Sequence, residues 1–337
     1  MNKLIYNLKP SAMKLKVTSF NCENLFGRYR LLDLAWDKRP SGYENRLQVF
    51  DVIALEPGRS GAIKPKEIAE VQRKTTANAI LGAAPDILAV QEVENLPTLR
   101  MFNHIYCKNY FDRIVLADGN DARGIDVGLL VKKGLKAEIV ATRFHFDEVY
   151  EGGFVPQTSR LSTQVTSKVT FARDCLEVDI KIKNTVYTFL VNHFKAQDGK
   201  PASTEKRIRQ STRVKELVDI AFKEGKKTIV LGDLNIDVKQ EDYDQSLDKL
   251  YKSTKLQDPF KNLADEERWS HYYSSKRKVS QLDYILVDKS LAISGTEFFR
   301  EGLTPHCKQY KGPRLKSMEG NDLEASDHCP TSVILDI

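Results

Sequence analysis

Residues Thr228–Asp237 read TIVLGDLNID. Ile229, Val230 and Leu231 form an apolar run without alternation, the pattern of a strand buried on both faces. Gly232 breaks the run, and Asp233 and Asn235 follow with Leu234 between them. Successive side chains of an extended chain point to opposite sides, so Asp233 and Asn235 share one side and Leu234 takes the other. An acid and an amide are thereby delivered together at a strand end. Taken alone, the same letters also suit a strand followed by an Asx turn, because Gly, Asp and Asn are common turn formers. The first reading gains weight because a buried strand ending in polar groups recurs along the chain.

Lys14–Asn21 alternates as a first core strand and ends with Asn21 and Glu23 on one side and Cys22 on the other. A carboxylate at the end of a buried strand is costly unless it is paired or bound to a cation. Asp86–Asn95, DILAVQEVEN, repeats the pattern, with Gln91, Glu92 and Glu94 emerging from an apolar run. Thr185–Phe194, TVYTFLVNHF, ends in His193, and Ser280–Val287, SQLDYILV, contains Asp283. Ala325–Leu335, ASDHCPTSVIL, places Asp327 and His328 immediately before a last strand. Ser162–Ile182 reads as a strand or hairpin in which Arg173 sits among Phe171, Cys175, Val178 and Ile180, with Asp174 and Asp179 as simple ion-pair partners.

Between these strands, Lys66–Leu81, Leu96–Tyr106 and Thr204–Lys223 are predicted helices, the first ended by Gly82 and Pro85. Thr204–Lys223 is basic through Lys206, Arg207, Arg209, Arg213 and Lys215. Gly124–Lys132 is a further strand, and Asp242–Leu263 is helical in part. Gly27–Pro65 is irregular, and a connection of that length is often functional. Within it, Leu47–Leu55 suits a strand of a covering hairpin. Asp118–Arg123 and Lys308–Asn321 are polar and basic loops. The α/β alternation runs from Lys14 to Ile337. Since the polar strand ends span nearly the whole chain and would have to meet, one catalytic domain over 14–337 is expected, with 1–13 as a lead-in.

The 337 residues carry a net charge of +6, which permits an anionic substrate without requiring one. The five cysteines are odd in number and form no CxxC pair, which excludes a disulfide framework and a structural zinc site. No apolar signal-peptide region and no bilayer-length apolar run is found, so a cytoplasmic protein, monomeric and without a transmembrane segment, is expected.

Glu23, Glu92, Asp233 and Asp327 are hard oxygen ligands that suit Mg²⁺ or Mn²⁺ better than Zn²⁺. His193 and His328 can transfer protons or bind phosphate when charged. Arg173 can hold a phosphate with its fork of donors. Carboxylates, metal and histidine are the equipment for hydrolysing a phosphate ester by a directly activated water.

The segments SFNCENL, AVQEVEN, FARDCLEV, VNHFKA, LGDLN, LDYILV and SDHCP, in this order, resemble the endonuclease/exonuclease/phosphatase superfamily, the fold of DNase I and exonuclease III. The resemblance implies a four-layer α/β sandwich: two mixed β-sheets packed face to face, helices outside, and a site at one edge. It implies Glu92 as principal metal ligand, with Glu23 and Asp327 around the same Mg²⁺ (or Mn²⁺). Asn21 would orient Asp233, Asp233 would align the attacking water, and Asn235 would hold the scissile phosphate. His328 would pair with Asp283, and Arg173 and His193 would contact phosphate. Division of base and leaving-group acid between Asp233 and His328 stays open. The leading functional reading is a metal-dependent phosphodiester hydrolase, a nuclease acting as endonuclease or exonuclease on DNA or RNA. The alternative is a phosphatase or phosphodiesterase for a small or lipid-derived ester of the inositol phosphate or sphingomyelin type, against which the lack of an exposed aromatic hairpin tells. A non-catalytic binding module is the remaining reading, and none of the metal acids or the catalytic histidine is lost.

Overall fold

The computed structural model describes residues 13–25, 53–57, 63–67, 70–121, 123–149, 169–320 and 322–337. The N-terminal lead-in up to residue 12 and most of the 27–65 connection lie outside the described residues. The strands in chain order are β1 (Lys14–Leu25), β2 (Ile53–Pro57), β3 (Ile63–Glu67), β4 (Ile87–Val93), β5 (Phe111–Leu116), β6 (Asp126–Lys132), β7 (Ala137–Arg143) and β8 (Cys175–Ile182). They continue as β9 (Thr185–His193), β10 (Lys227–Asp233), β11 (Leu256–Gln257), β12 (His271–Tyr273), β13 (Lys278–Ser280), β14 (Asp283–Asp288), β15 (Ala292–Phe298) and β16 (Thr331–Asp336). The helices are α1 (Glu70–Ala83), α2 (Leu96–Ile105), α3 (Pro201–Lys223) and the short α4 (Asp248–Tyr251).

Two six-stranded sheets carry the fold, ordered β15-β16-β1-β4-β6-β5 and β11-β14-β10-β9-β8-β7. Successive buried side chains along their central strands point to opposite faces and thereby build the layers. Val17, Ile87, Leu129, Val178, Phe189, Leu231, Ile285 and Val333 meet between the sheets. Phe20, Leu88, Val90 and Leu130 face the other way, onto Ala79 and Ile80 of α1 and Leu99 and Phe102 of α2. Leu190, Val230 and Leu286 turn out of the second sheet onto Val214, Leu217 and Val218 of α3. The architecture is a four-layer α/β sandwich of two mixed sheets with helices outside. Both faces of each central strand are covered, which is why those strands read as near-continuous apolar runs. Each such buried side chain contributes about 1.5–3 kcal/mol, so the strands are pinned well before any polar end is considered.

One feature of the pairing positions the site. Each sheet contains one parallel pair at its centre, β1 with β4 and β9 with β10. Parallel strands bring their C-terminal ends to the same edge. The antiparallel neighbours β14 and β16 bring their N-terminal ends there. In register, Asp233 stands opposite His193 on one side and Asp283 on the other.

Several expectations shift in detail. The first helix starts at Glu70, and Lys66 belongs instead to the β2–β3 hairpin. The hairpin expected from Leu47–Leu55 is present from Ile53, with 47–52 outside the described residues. The Ser162–Ile182 strand begins at Cys175, residues 162–168 are not described, and Arg173 lies on an irregular segment before it. Ser280–Val287 divides between β13 and β14. Gly232 does not break its strand but lies inside β10 at φ +136°.

A polar cluster anchors the segment before the undescribed 150–168 stretch. His145 donates at Nδ1 to Glu148 (2.6 Å) and at Nε2 to Glu177 of β8 (3.0 Å). Glu148 in turn receives both Arg213 Nε and Nη2 of α3 at 2.8 and 2.9 Å. Burial opposes a charged imidazole, but the two carboxylates outweigh it and raise His145 to about 9. The folded value lies above the unfolded value of about 6.5, so the charged ring stabilises the fold fully below that pH and loses its contribution as pH rises through about 9. His145→Gln is expected to cost at most about 3 kcal/mol at pH 6. Denaturant titration should show the gap from wild type narrowing between pH 6 and pH 9.5; a pH-independent gap would contradict the assignment.

Candidate active site

All ten residues singled out in the sequence come together at the shared edge. Asn21, Glu23, Glu92, Arg173, His193, Asp233, Asn235, Asp327 and His328 line one cleft of roughly 670 Å³. Asp283 lies beneath it, fully buried, and reaches the cleft through His328. Three of the set, Glu23, Glu92 and Asn235, hold positive φ of 44°, 59° and 57°. Left-handed backbone is uncommon for non-glycine residues, costs about 1–3 kcal/mol each, and clusters at functional sites.

Asp233 sits at the centre. Its Oδ2 accepts from Asn21 Nδ2 at 3.0 Å, and its Oδ1 accepts from the backbone N–H of Asn235 at 2.9 Å. His193 Nε2 lies 3.4 Å and His328 Nε2 3.8 Å from Oδ2. Burial pushes its carboxyl up to about 7, against the opposing pull of His328 and the two hydrogen bonds. Asn21 is doubly used, since its Oδ1 also accepts from Glu23 N at 3.0 Å. Asn235 Nδ2 donates to the Phe194 carbonyl at 3.1 Å.

The two histidines are opposites. His328 Nδ1 contacts Asp283 Oδ2 at 2.7 Å. Burial alone would discharge the ring, but Asp283, with Asp327 and Asp233, holds it well above the ordinary histidine value. Ser270 Oγ accepts the backbone N–H of both Leu282 and Asp283, which fixes the start of β14. Ser326 Oγ donates to the Asn21 carbonyl and accepts from His328 N, tying β1 to the last loop. His193, in contrast, is driven well below its ordinary value by burial and by the Arg173 and Arg123 charges. It is a neutral imidazole between Glu92 (3.9 Å) and Asp233, and its buried Nδ1 has no hydrogen-bond partner.

Glu23 Oε2 accepts from Asp327 N at 3.2 Å. Burial and the neighbouring Asp327 and Glu324 carboxylates raise Glu23 to about 8. Crowded carboxylates of this kind are relieved by a cation, and an all-oxygen donor set fits a hard divalent ion. Among the described residues, the ligand-type side chains whose donor atoms fall within 4.8 Å of one another are His271, Asp327 and His328. Asp327 is common to this group and to the predicted acids, whereas Glu92 stands against His193 instead.

The partner of Arg173 differs from the sequence expectation. Its Nε donates to Asp121 at 2.9 Å and its Nη1 to the Phe194 carbonyl, not to Asp174 or Asp179. Those two acids are engaged elsewhere, Asp174 by His145 N and Asp179 by Arg143 and Lys226. His271 escaped the sequence reading. Its Nε2 lies 3.5 Å from Asp327, and its ring stands 4.6 Å from the His328 ring and stacks near Tyr273. It lies on the β12–β13 hairpin, whose sequence HYYSSKRKVS has no apolar run to flag it. That hairpin also presents Tyr273, half exposed, with Lys276 over its ring. An exposed aromatic on a hairpin is therefore present after all.

Two paired sheets with acids, amides and histidines at one edge define an architecture built for phosphate esters. The family model described as endonuclease/exonuclease/phosphatase family matches residues 62–328, and the chain belongs to that family. Its members are phosphoric ester hydrolases that generally use divalent metals. No curated protein matches the sequence significantly. Among solved structures, TDP2 from D. rerio in complex with a single strand DNA product is 11% identical, with 96% of this chain and 99% of that chain covered at a TM-score of 0.57. A mannosyl-6-phosphatase from Bacteroides thetaiotaomicron is 15% identical over 96% and 100% at 0.57. The human Nocturnin catalytic domain with bound sulfate is 16% identical over 96% and 95% at 0.57. At these identities the likeness extends to the fold. Among the described residues no helix is long and apolar enough to cross a membrane.

Proposed function

We propose that the protein is a divalent-metal-dependent phosphodiester hydrolase that cleaves DNA or RNA. The observation that carries the reading is the buried Asp283–His328 pair facing Asp233 across a cleft edged by carboxylates. In this reading Glu23, Glu92 and Asp327 would hold Mg²⁺ or Mn²⁺, which would supply charge neutralisation and favour the ionised form of water. Asp233 takes the proton of the attacking water, oriented by Asn21 and Asn235. His328, kept charged by Asp283, donates to a phosphate oxygen. Arg173 adds a fixed positive charge. His193, being neutral, serves as a hydrogen-bonding group rather than a cation. Residues 14–337 act as one catalytic unit, because the ten residues come from strands, strand ends and loops across that span.

A strand rather than a small ester is favoured by what surrounds the scissile position. Arg123, Lys276, Lys278 and Tyr273 also line the cleft, more basic and aromatic surface than one phosphate needs. The test is a panel of supercoiled DNA, single-stranded DNA, RNA, inositol phosphates and a generic phosphate bis-ester with Mg²⁺ and with Mn²⁺. Cleavage of a nucleic acid is expected, with binding that weakens steeply as salt rises. Hydrolysis confined to the small esters, with no strand binding at low salt, would transfer the assignment to a phosphatase.

A further inference from the structure

His271 lines the cleft from the β12–β13 hairpin, yet the proposed hydrolysis gives it no part. An antiparallel bridge sets its backbone beside that of His328, and the two rings stand 4.6 Å apart. Asp327 completes the group: its Oδ2 lies 3.5 Å from His271 Nε2, and its Oδ1 lies 3.9 Å from His328 Nε2. One donor atom from each of the three falls within 4.8 Å of the others. Donors around a tetrahedral zinc ion are about 3.3 Å apart, so side-chain shifts on the order of 1 Å bring these three to ligating positions. The other nitrogen of each ring is already held. His271 Nδ1 contacts Ser280 Oγ at 3.2 Å, and His328 Nδ1 contacts Asp283 Oδ2 at 2.7 Å. Metal-ligating histidines are almost always anchored in this way, through the ring nitrogen that does not face the ion. Asp327 is the most exposed of the three side chains, which leaves a fourth position open to the cleft. Two imidazoles and one carboxylate suit a borderline ion, whereas the all-oxygen set of Glu23, Glu92 and Asp327 suits a hard one.

We propose that His271, Asp327 and His328 form a zinc-type site, distinct from the hard-ion site at Glu23 and Glu92, and that its occupancy switches off the chemistry of the cleft. The ion takes His328 Nε2, the atom that in the proposed reaction donates to a phosphate oxygen. A ligating imidazole is neutral, so binding releases that proton and removes the donor. The ion also takes Asp327, which the hard-ion set would use. Zn²⁺ is therefore an inhibitor of this protein, and His271 is the residue that gives it a foothold. The binding half of the proposal stands on the arrangement of the three side chains, and the inhibition half rests on the phosphodiester-hydrolase reading.

Calorimetric titration of the chelator-stripped protein with Zn²⁺ tests the site without any substrate. Wild type is expected to bind zinc, and His271→Gln, checked for an unchanged circular dichroism spectrum, to bind it about tenfold or more weakly. Glu92→Gln, which removes an acid of the hard-ion set alone, should leave zinc binding nearly unchanged. Ser280→Ala keeps the ligand but releases the far side of its ring, and should weaken zinc by about tenfold; it carries the test if His271→Gln does not fold. Co²⁺ reads the ligands directly, with the intense visible absorption of a four-coordinate ion expected in wild type and lost in His271→Gln. With bis(p-nitrophenyl) phosphate and saturating Mg²⁺, Zn²⁺ should inhibit wild type. The half-inhibiting concentration should rise about tenfold in His271→Gln, each protein being compared with its own zinc-free rate. No zinc binding in wild type, binding that neither His271→Gln nor Ser280→Ala weakens, or an equal loss in Glu92→Gln and His271→Gln would overturn the site. Zinc bound through His271 that leaves hydrolysis unchanged would overturn the inhibition. Absence of any Mg²⁺-dependent hydrolysis, alongside zinc binding that depends on His271, removes the hydrolase reading and leaves the site.

Discussion

His328→Ala is expected to lower kcat by about 10²–10⁴-fold, the usual loss on removing a positioned acid–base group. The pairing gives this a second, sharper consequence. Asp283 is fully buried, and one of its oxygens, Oδ1, has no hydrogen-bond partner, so His328 is its principal compensation. Removing the ring alone leaves an uncompensated buried carboxylate and should destabilise the protein by about 3–5 kcal/mol. Asp283→Asn removes the charge that keeps the ring protonated and oriented, so catalysis slows there too. The double variant should be no less active than the worse single, because the two groups act as a unit. It should also be more stable than His328→Ala, since neither charge remains. Activities are compared at a temperature where circular dichroism shows each variant folded. Losses that multiply in the double variant would show two independent residues.

Gly232→Ala is expected to be among the most damaging single-methyl changes in the chain. A Cβ at this position would lie 1.9 Å from the Asn192 carbonyl oxygen, backbone of the parallel partner strand. No side-chain rotation relieves such a contact, and φ of +136° is itself a region side-chain-bearing residues avoid. Overpacking and backbone strain together should cost about 3 kcal/mol or more. The strands would have to separate where they deliver His193 and Asp233, so activity should collapse even in whatever fraction remains folded. Melting temperature and kcat check both parts. A variant with wild-type melting would mean that β9 and β10 do not approach as described.

The central strands were legible because burial on both faces writes an unbroken apolar run, as in Ile229–Leu231 and Ile87–Val90. Their polar ends were legible because a buried strand followed by Asn, Glu, His or Asp needs a reason. Among the strands left unread, β5, β7, β11 and β15 each lie at a sheet edge. Edge strands keep one side in water and carry charges such as Arg113, Glu138 and Glu297, which erases the hydrophobic pattern. His271 was invisible for a related reason: its hairpin is held by pairing and by Ser280, not by an apolar run. The basic stretch of α3 could not be sorted from composition. Only the fold shows that Arg207 and Arg213 turn to Asp244 and Glu148 of the protein. The Arg173–Asp121 contact joins residues 52 apart in sequence, across a loop that no periodicity describes.

The proposed activity depends on a metal-assisted reaction in the cleft of Glu23, Glu92, Asp233 and Asp327. The most direct measurement is hydrolysis of a phosphate bis-ester by chelator-stripped protein, before and after adding back Mg²⁺ or Mn²⁺, alongside Glu92→Gln at the same metal levels. The prediction is loss of activity on stripping, recovery with either ion, and loss of most activity in Glu92→Gln. Full activity in the metal-free protein, or in Glu92→Gln at ordinary metal concentration, would contradict it.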